Sequence, residues 1–171
     1  MKNNILRCSR LPLLFLIVFV IGVAGIFLYE NRQSALSERQ AMIHQKGTTV
    51  MPFDLSQTTH IFKKTSDGGI QQVIAKDPKD TQQISLIRMH LQMEAGLFQK
   101  GNFLDPSGLH GEEMPSLKEL SQEAENIVVS YSDLPNGAQI SLRTKETSLV
   151  SAIHKWFDAQ VSDHGSDAME M

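Results

Sequence analysis

The hydrophobic pattern divides the chain early. From Leu11 to Tyr29 it reads LPLLFLIVFVIGVAGIFLY, nineteen residues without a charge. At about 1.5 Å per helical residue such a run covers a hydrocarbon core of about 30 Å, so it predicts a transmembrane helix. A cleaved signal peptide is the rival, because Gly22-Val23-Ala24 puts small residues at cleavage positions. Cleavage after Ala24 would leave the apolar terminus Gly-Ile-Phe-Leu-Tyr, and the run ends on a Tyr29 suited to the interface, which favours a retained anchor. Cys8 precedes the apolar run, unlike an acylated lipoprotein cysteine.

Lys2, Arg7 and Arg10 are the only charges before the span, whereas its far flank, Glu30-Asn31-Arg32, mixes signs. The positive-inside rule keeps residues 1–10 in the cytoplasm and exports the chain beyond the 11–29 anchor. In a bacterium that means an inner-membrane, single-pass protein with a periplasmic C-terminal domain. Residues 30–47, ENRQSALSERQAMIHQKG, are polar without a sustained apolar stripe and read as a helical or flexible stalk.

Beyond the stalk, residues 48–165 read as two hairpin-plus-helix units. TTHIFKKT and IQQVIAKD are β-rich stretches on either side of Ser66-Asp67-Gly68-Gly69. Asp77-Pro78 supplies an N-cap and a proline for a helix that can run to Gly101, with Ile84, Ile87, Leu91, Ala95 and Phe98 on one stripe. The plan repeats in Ile127–Tyr131, a turn at Leu134-Pro135-Asn136-Gly137, AQISLRTK, and a helix from Thr147 to His164 stopped by Gly165. Asn136-Gly137 suits a type I′ turn. Leu149, Ile153, Trp156, Phe157 and Val161 give the last helix a broad apolar face. Residues 102–125, rich in Gly and Pro, predict a loop with one short helix around Ser116–Glu123; residues 166–171 predict a solvated acidic tail. The expected fold is α+β: a ββα-loop-ββα domain with a four-stranded antiparallel sheet and two long helices on one face. The gapless match of IRMHLQMEA to SAIHKWFDA fits a duplication as well as chance similarity between two amphipathic helices.

Composition removes several function classes. The 171 residues carry a net charge of −3, and without the three N-terminal cations 13 basic face 19 acidic groups, a net of −6, which argues against a nucleic-acid surface. A single cysteine excludes a disulfide scaffold. No glycine-rich phosphate loop, no Gly-x-Ser-x-Gly elbow and no exported thiol nucleophile is present.

Candidate chemistry therefore rests on the histidines. His90 precedes Glu94 and His154 precedes Asp158 by one helical turn, so each pair shares a face at the edge of the buried surface, where a carboxylate can orient an imidazole or merely form an ion pair. His110 sits in Gly108-Leu109-His110-Gly111, a loop position suited to a site. His60 alternates with Phe62 as a core histidine would, and His164 before Gly165 suits a helix C-cap. Metal gathers most of them: His90, His110, His154 and His164, with Asp158, Glu94 and Met114, suit zinc or copper, although no short-spaced metal motif is present. The alternatives are an envelope interaction module with structural histidines, or a small acid-base enzyme using His154 with Asp158.

The stretches MPFDLSQTTHIFKK, IRMHL, LHG, LPNG and HKWFDAQVSDHG resemble a family of small bacterial proteins over roughly residues 51–165. The resemblance implies no activity, but it places His60, His90, His110, His154 and His164 inside the shared motifs. Some members carry the label aspartate carbamoyltransferase. That enzyme is far larger, and its Ser-Thr-Arg-Thr-Arg motif opens a helix; here Ser141-Leu142-Arg143-Thr144-Lys145 lacks the second residue type and lies in a predicted strand, so that activity is not expected.

Overall fold

A computed structural model describes residues 10–171, with side chains from Leu14 onward. The segment whose cations set the expected orientation, with Lys2, Arg7 and Cys8, lies outside the described residues. The chain forms two compact units, the first ending at Glu38 and the second running from Arg39 to Met171. The first consists, as described, of helix α1 (Arg10–Val50) up to its boundary. Every side chain from Leu14 to Tyr29 is exposed, and the helix is long and apolar enough to cross a membrane.

The second unit begins inside the stretch expected to be stalk. Residues 39–50, the end of α1, carry Ile43, which is 0% exposed within the core. One buried isoleucine among polar neighbours makes no stripe, so periodicity does not find it.

Five strands form the sheet: β1 (Thr58–Thr65), β2 (Gly68–Ala75), β3 (Val128–Leu134), β4 (Gly137–Arg143) and β5 (Ala168–Glu170), in the order β3-β4-β2-β1-β5. The expectation of four antiparallel strands is corrected here, because β5 lies parallel to β1, opposite His60, Ile61 and Phe62. The predicted solvated tail is this fifth strand. Met171 N donates to Phe62 O at 3.0 Å, and Glu170 meets Lys64 at 2.9 Å. Three residues, Ala-Met-Glu, have no strand signature of their own; pairing with β1 supplies it.

The turns and caps also shift. Thr65 pairs with Gly68 and Leu134 with Gly137, so the two-residue loops are Ser66-Asp67 and Pro135-Asn136 rather than Asn136-Gly137. Gly137 belongs to β4, where a Cβ would come within 2.0 Å of Val73 O on β2. Helix α2 (Thr81–Phe98) starts at Asp80, whose carboxylate accepts from Gln83 N at 3.0 Å, and not at Asp77-Pro78. The expected single short helix becomes two, α3 (Leu104–His110) and α4 (Leu117–Gln122). Pro106 reads as a breaker in sequence but falls in the first turn of α3, where proline is tolerated.

Helix α5 (Thr147–His164) completes the domain. Each long helix lies mainly over the other half's hairpin: α2 covers β4 and β3, α5 covers β2 and β1. Both use the same sheet face, where Phe62 meets Phe157 with ring centroids 5.1 Å apart and Phe98 meets Trp156 at 5.7 Å. Phe98 and Phe103 stack at 4.6 Å, and Trp156 stands edge-on to both. This crossing carries one face of α2, one face of α5 and the inner residues of β1 and β2 to a common point.

Candidate functional site

At that point lies a cavity of about 50 Å³. Strand alternation aims His60 of β1 and Gln71 of β2 into it; α2 adds His90 and Glu94, α3 adds Asp105 and His110, and α5 adds Trp156, Gln160 and His164. Val50 and Met51, at the end of α1, close one side. Glu94 follows His90 by one turn, as does Gln160 after Trp156, so each helix offers two neighbouring polar or aromatic groups to the same space.

Four imidazoles converge. His60 and His164 stack at 4.8 Å, nearly parallel, and His110 stands edge-on to His164 at 5.0 Å. Phe53 separates His60 from His90, with centroids 6.0 and 5.7 Å away. Burial disfavours the charged ring, and neighbouring imidazoles add to that effect. His60 is lowered to about 4, His164 falls well below the ordinary histidine value, and His90 is lowered by burial. These three are neutral at pH 7. His60 Nδ1 makes no hydrogen bond, and in a neutral ring it donates or accepts according to the tautomer.

Carboxyl groups on the two sides of the cavity behave oppositely. Glu94, 5% exposed, is pushed up to about 8 by burial and then by Asp105 beside it, so it is a neutral carboxylic acid at pH 7. Burial also works against ionisation of Asp163, but hydrogen bonds from His110 and Arg39 outweigh it and hold the carboxyl at about 2. Arg39 Nε and Nη2 donate to its two oxygens at 2.5 and 2.6 Å, and His110 Nδ1 donates to Oδ2 at 2.9 Å. Arg39 Nη2 also donates to His110 O at 3.0 Å. An ionised Asp163 can only accept, which fixes the proton on His110 Nδ1 and turns Nε2 away from it.

Among the described residues, the buried side-chain polar atoms without a hydrogen-bond partner are His60 Nδ1, Gln71 Oε1, Glu94 Oε1 and Trp156 Nε1. All four belong to residues lining this one cavity. Leaving such a group unpaired costs about 1–3 kcal/mol, so their convergence sets the cavity apart from the rest of the core.

The sequence-predicted site set divides. His90, Glu94, His110 and His164 meet at the cavity. His154 does not: its Nε2–H is shared by the carbonyls of Thr65 and Gly68, at 3.0 and 2.9 Å, and pins the β1–β2 turn. Asp158 is exposed and pairs with Lys64 rather than with His154. Met114 packs in the core. Among the described residues no group of three or more His, Cys, Asp or Glu side chains is arranged to hold a metal ion. Sequence reasoning missed Arg39, Gln71, Asp105, Trp156 and Asp163 as site groups and placed His60 in the core. The alternation of His60 with Phe62 and the apolar face of the last helix that carries Trp156 pointed inward; nothing local marks the others, which are joined by tertiary folding.

Fold and site together define a class: a small α+β domain with a long apolar N-terminal helix and a cavity lined by imidazoles and carboxyl groups. No protein-family model matches the chain, and neither a curated protein nor a solved structure matches it.

Proposed function

We propose that this is a membrane-anchored, exported ligand-binding domain, and that the cavity between the sheet and α2, α3 and α5 takes a small organic molecule. One observation carries the reading: the four unpaired buried polar atoms all belong to residues that line that cavity. A core selected for stability alone would bury apolar atoms there, whereas groups left for a ligand cost stability and gain recognition. The organic reading is preferred to copper or zinc because no trio of donors is arranged for an ion among the described residues. The apolar helix supports the anchor, and the cations Lys2, Arg7 and Arg10 support export of the domain.

The test is to purify the full chain in detergent, denature it, and analyse the released material by mass spectrometry and elemental analysis. An organic molecule at about one per chain supports the reading. Stoichiometric copper or zinc without an organic molecule overturns it in favour of metal handling. Neither would leave the cavity hydrated and the reading wrong.

A further inference from the structure

We infer that the ligand is an uncharged molecule carrying a hydrogen-bond donor and acceptor side by side, of the carboxamide or urea class, held between the Trp156 indole N–H and the acceptor Gln71 Oε1. This inference rests on the ligand-binding reading above and specifies what that site takes.

Valence supplies the first step. An indole N–H is a donor only, so Trp156 Nε1 requires an acceptor on the ligand. An amide oxygen is an acceptor only, so Gln71 Oε1 requires a donor, whereas His60 Nδ1 serves either way. Glu94 Oε1 belongs to a carboxylic acid and serves either way. A ligand that satisfies the set has at least one acceptor and one donor hydrogen. A primary carboxamide, with its carbonyl and –NH₂, has that pattern in its smallest form.

Charge supplies the second. No Lys or Arg lines the cavity. The Arg39 guanidinium is already spent on both oxygens of Asp163. A carboxylate ligand would meet Glu94 and Asp105 with no cation to compensate it, and burying an unpaired ion is far more costly than burying an amide. An ammonium ligand would find an acceptor at Gln71 but would leave the Trp156 N–H without one. A carboxylic acid would have to enter in its protonated form, a small fraction of it at pH 7.

The sequence provides its own probe, because Trp156 is the only tryptophan in the chain, it lines the cavity and its N–H is unpaired. The full chain, ¹⁵N-labelled in detergent micelles, is titrated with propionamide, propionate and propylammonium while the single indole Nε1–H resonance is followed. Saturable movement with propionamide alone, weakened tenfold or more in affinity by Gln71→Leu, is the expected result. Gln71→Met serves equally should the leucine variant misfold. Equal or tighter binding of propionate or propylammonium overturns the ligand class while leaving a ligand-binding cavity in place. An indole resonance that none of the three probes moves overturns the class as well; whether the cavity binds any organic molecule is then decided separately by the release experiment.

Discussion

Glu94 and Asp163 show how one domain gives two carboxyl groups opposite states. Glu94 faces another carboxyl in a buried setting and is held protonated up to about pH 8, whereas Asp163 faces a guanidinium and an imidazole and is ionised above about 2. The stability consequences have opposite signs. A carboxyl whose folded value is raised from 4.5 contributes stability that is complete below the unfolded value and is lost as pH climbs through about 8. The melting temperature of the full chain is therefore expected to decline from pH 6 to pH 9, and Glu94→Gln to flatten that decline; an unaltered alkaline slope in the variant would place the titration elsewhere. For His60 the value is lowered from 6.5 to about 4, so its contribution is present above the unfolded value and lost as pH falls towards 4. His60→Leu is expected to reduce the loss of melting temperature between pH 6.5 and 4. These groups were only partly legible in sequence. His90 with Glu94 was visible as a one-turn pair, but the same spacing in His154 with Asp158 leads to a turn strap and a surface ion pair. Spacing along a helix says which residues share a face, and the surroundings of that face are decided by packing.

At the scale of elements, the domain is held by close approaches that the hydrophobic pattern does not announce. Gly137 lies so near β2 that a Cβ would reach Val73 O at 2.0 Å. Gly137→Ala is accordingly expected to separate β4 from β2 and lower the melting temperature sharply, whereas Gly96→Ala, where a Cβ meets nothing within 4 Å, should raise it slightly. The end of α1 is the second such element. Ile43 is fully buried, and Arg39 and His44 from the same helix reach Asp163 and Asp167 at the far end of the domain sequence. Removing the Ile43 side chain to alanine should cost about 2–5 kcal/mol in denaturant unfolding, as for any core isoleucine; a change near zero would return residues 39–50 to the role of a stalk. Hairpins, long helices and their shared sheet face were all readable from alternation and turn residues. The parallel β5 and helix α3 were not, because their short segments take their form from the strand and core they dock against, whereas α4 falls where the short helix around Ser116–Glu123 was expected.

For the whole molecule, the proposed arrangement sets a buried recognition cavity on the exported side of a single span. Cys8 is the only cysteine and precedes the apolar run, so it reports the side of the N-terminus. In intact cells a membrane-impermeant maleimide should leave Cys8 unlabelled until the membrane is permeabilised, while a cysteine placed at Ser166 in a Cys8→Ser background should label at once. The reverse pattern would invert the orientation. Unpaired polar atoms from β1, β2, α2 and α5 converge at one cavity, and the proposed function depends on that convergence. Its most direct test is the Trp156 indole Nε1–H resonance of the full chain before and after adding back the molecule that the protein itself releases on denaturation. A saturable shift in the parent, absent in Glu94→Leu, is the predicted result. A resonance that stays fixed at saturating concentration in the parent would contradict the account, because the molecule would then be bound somewhere other than the cavity.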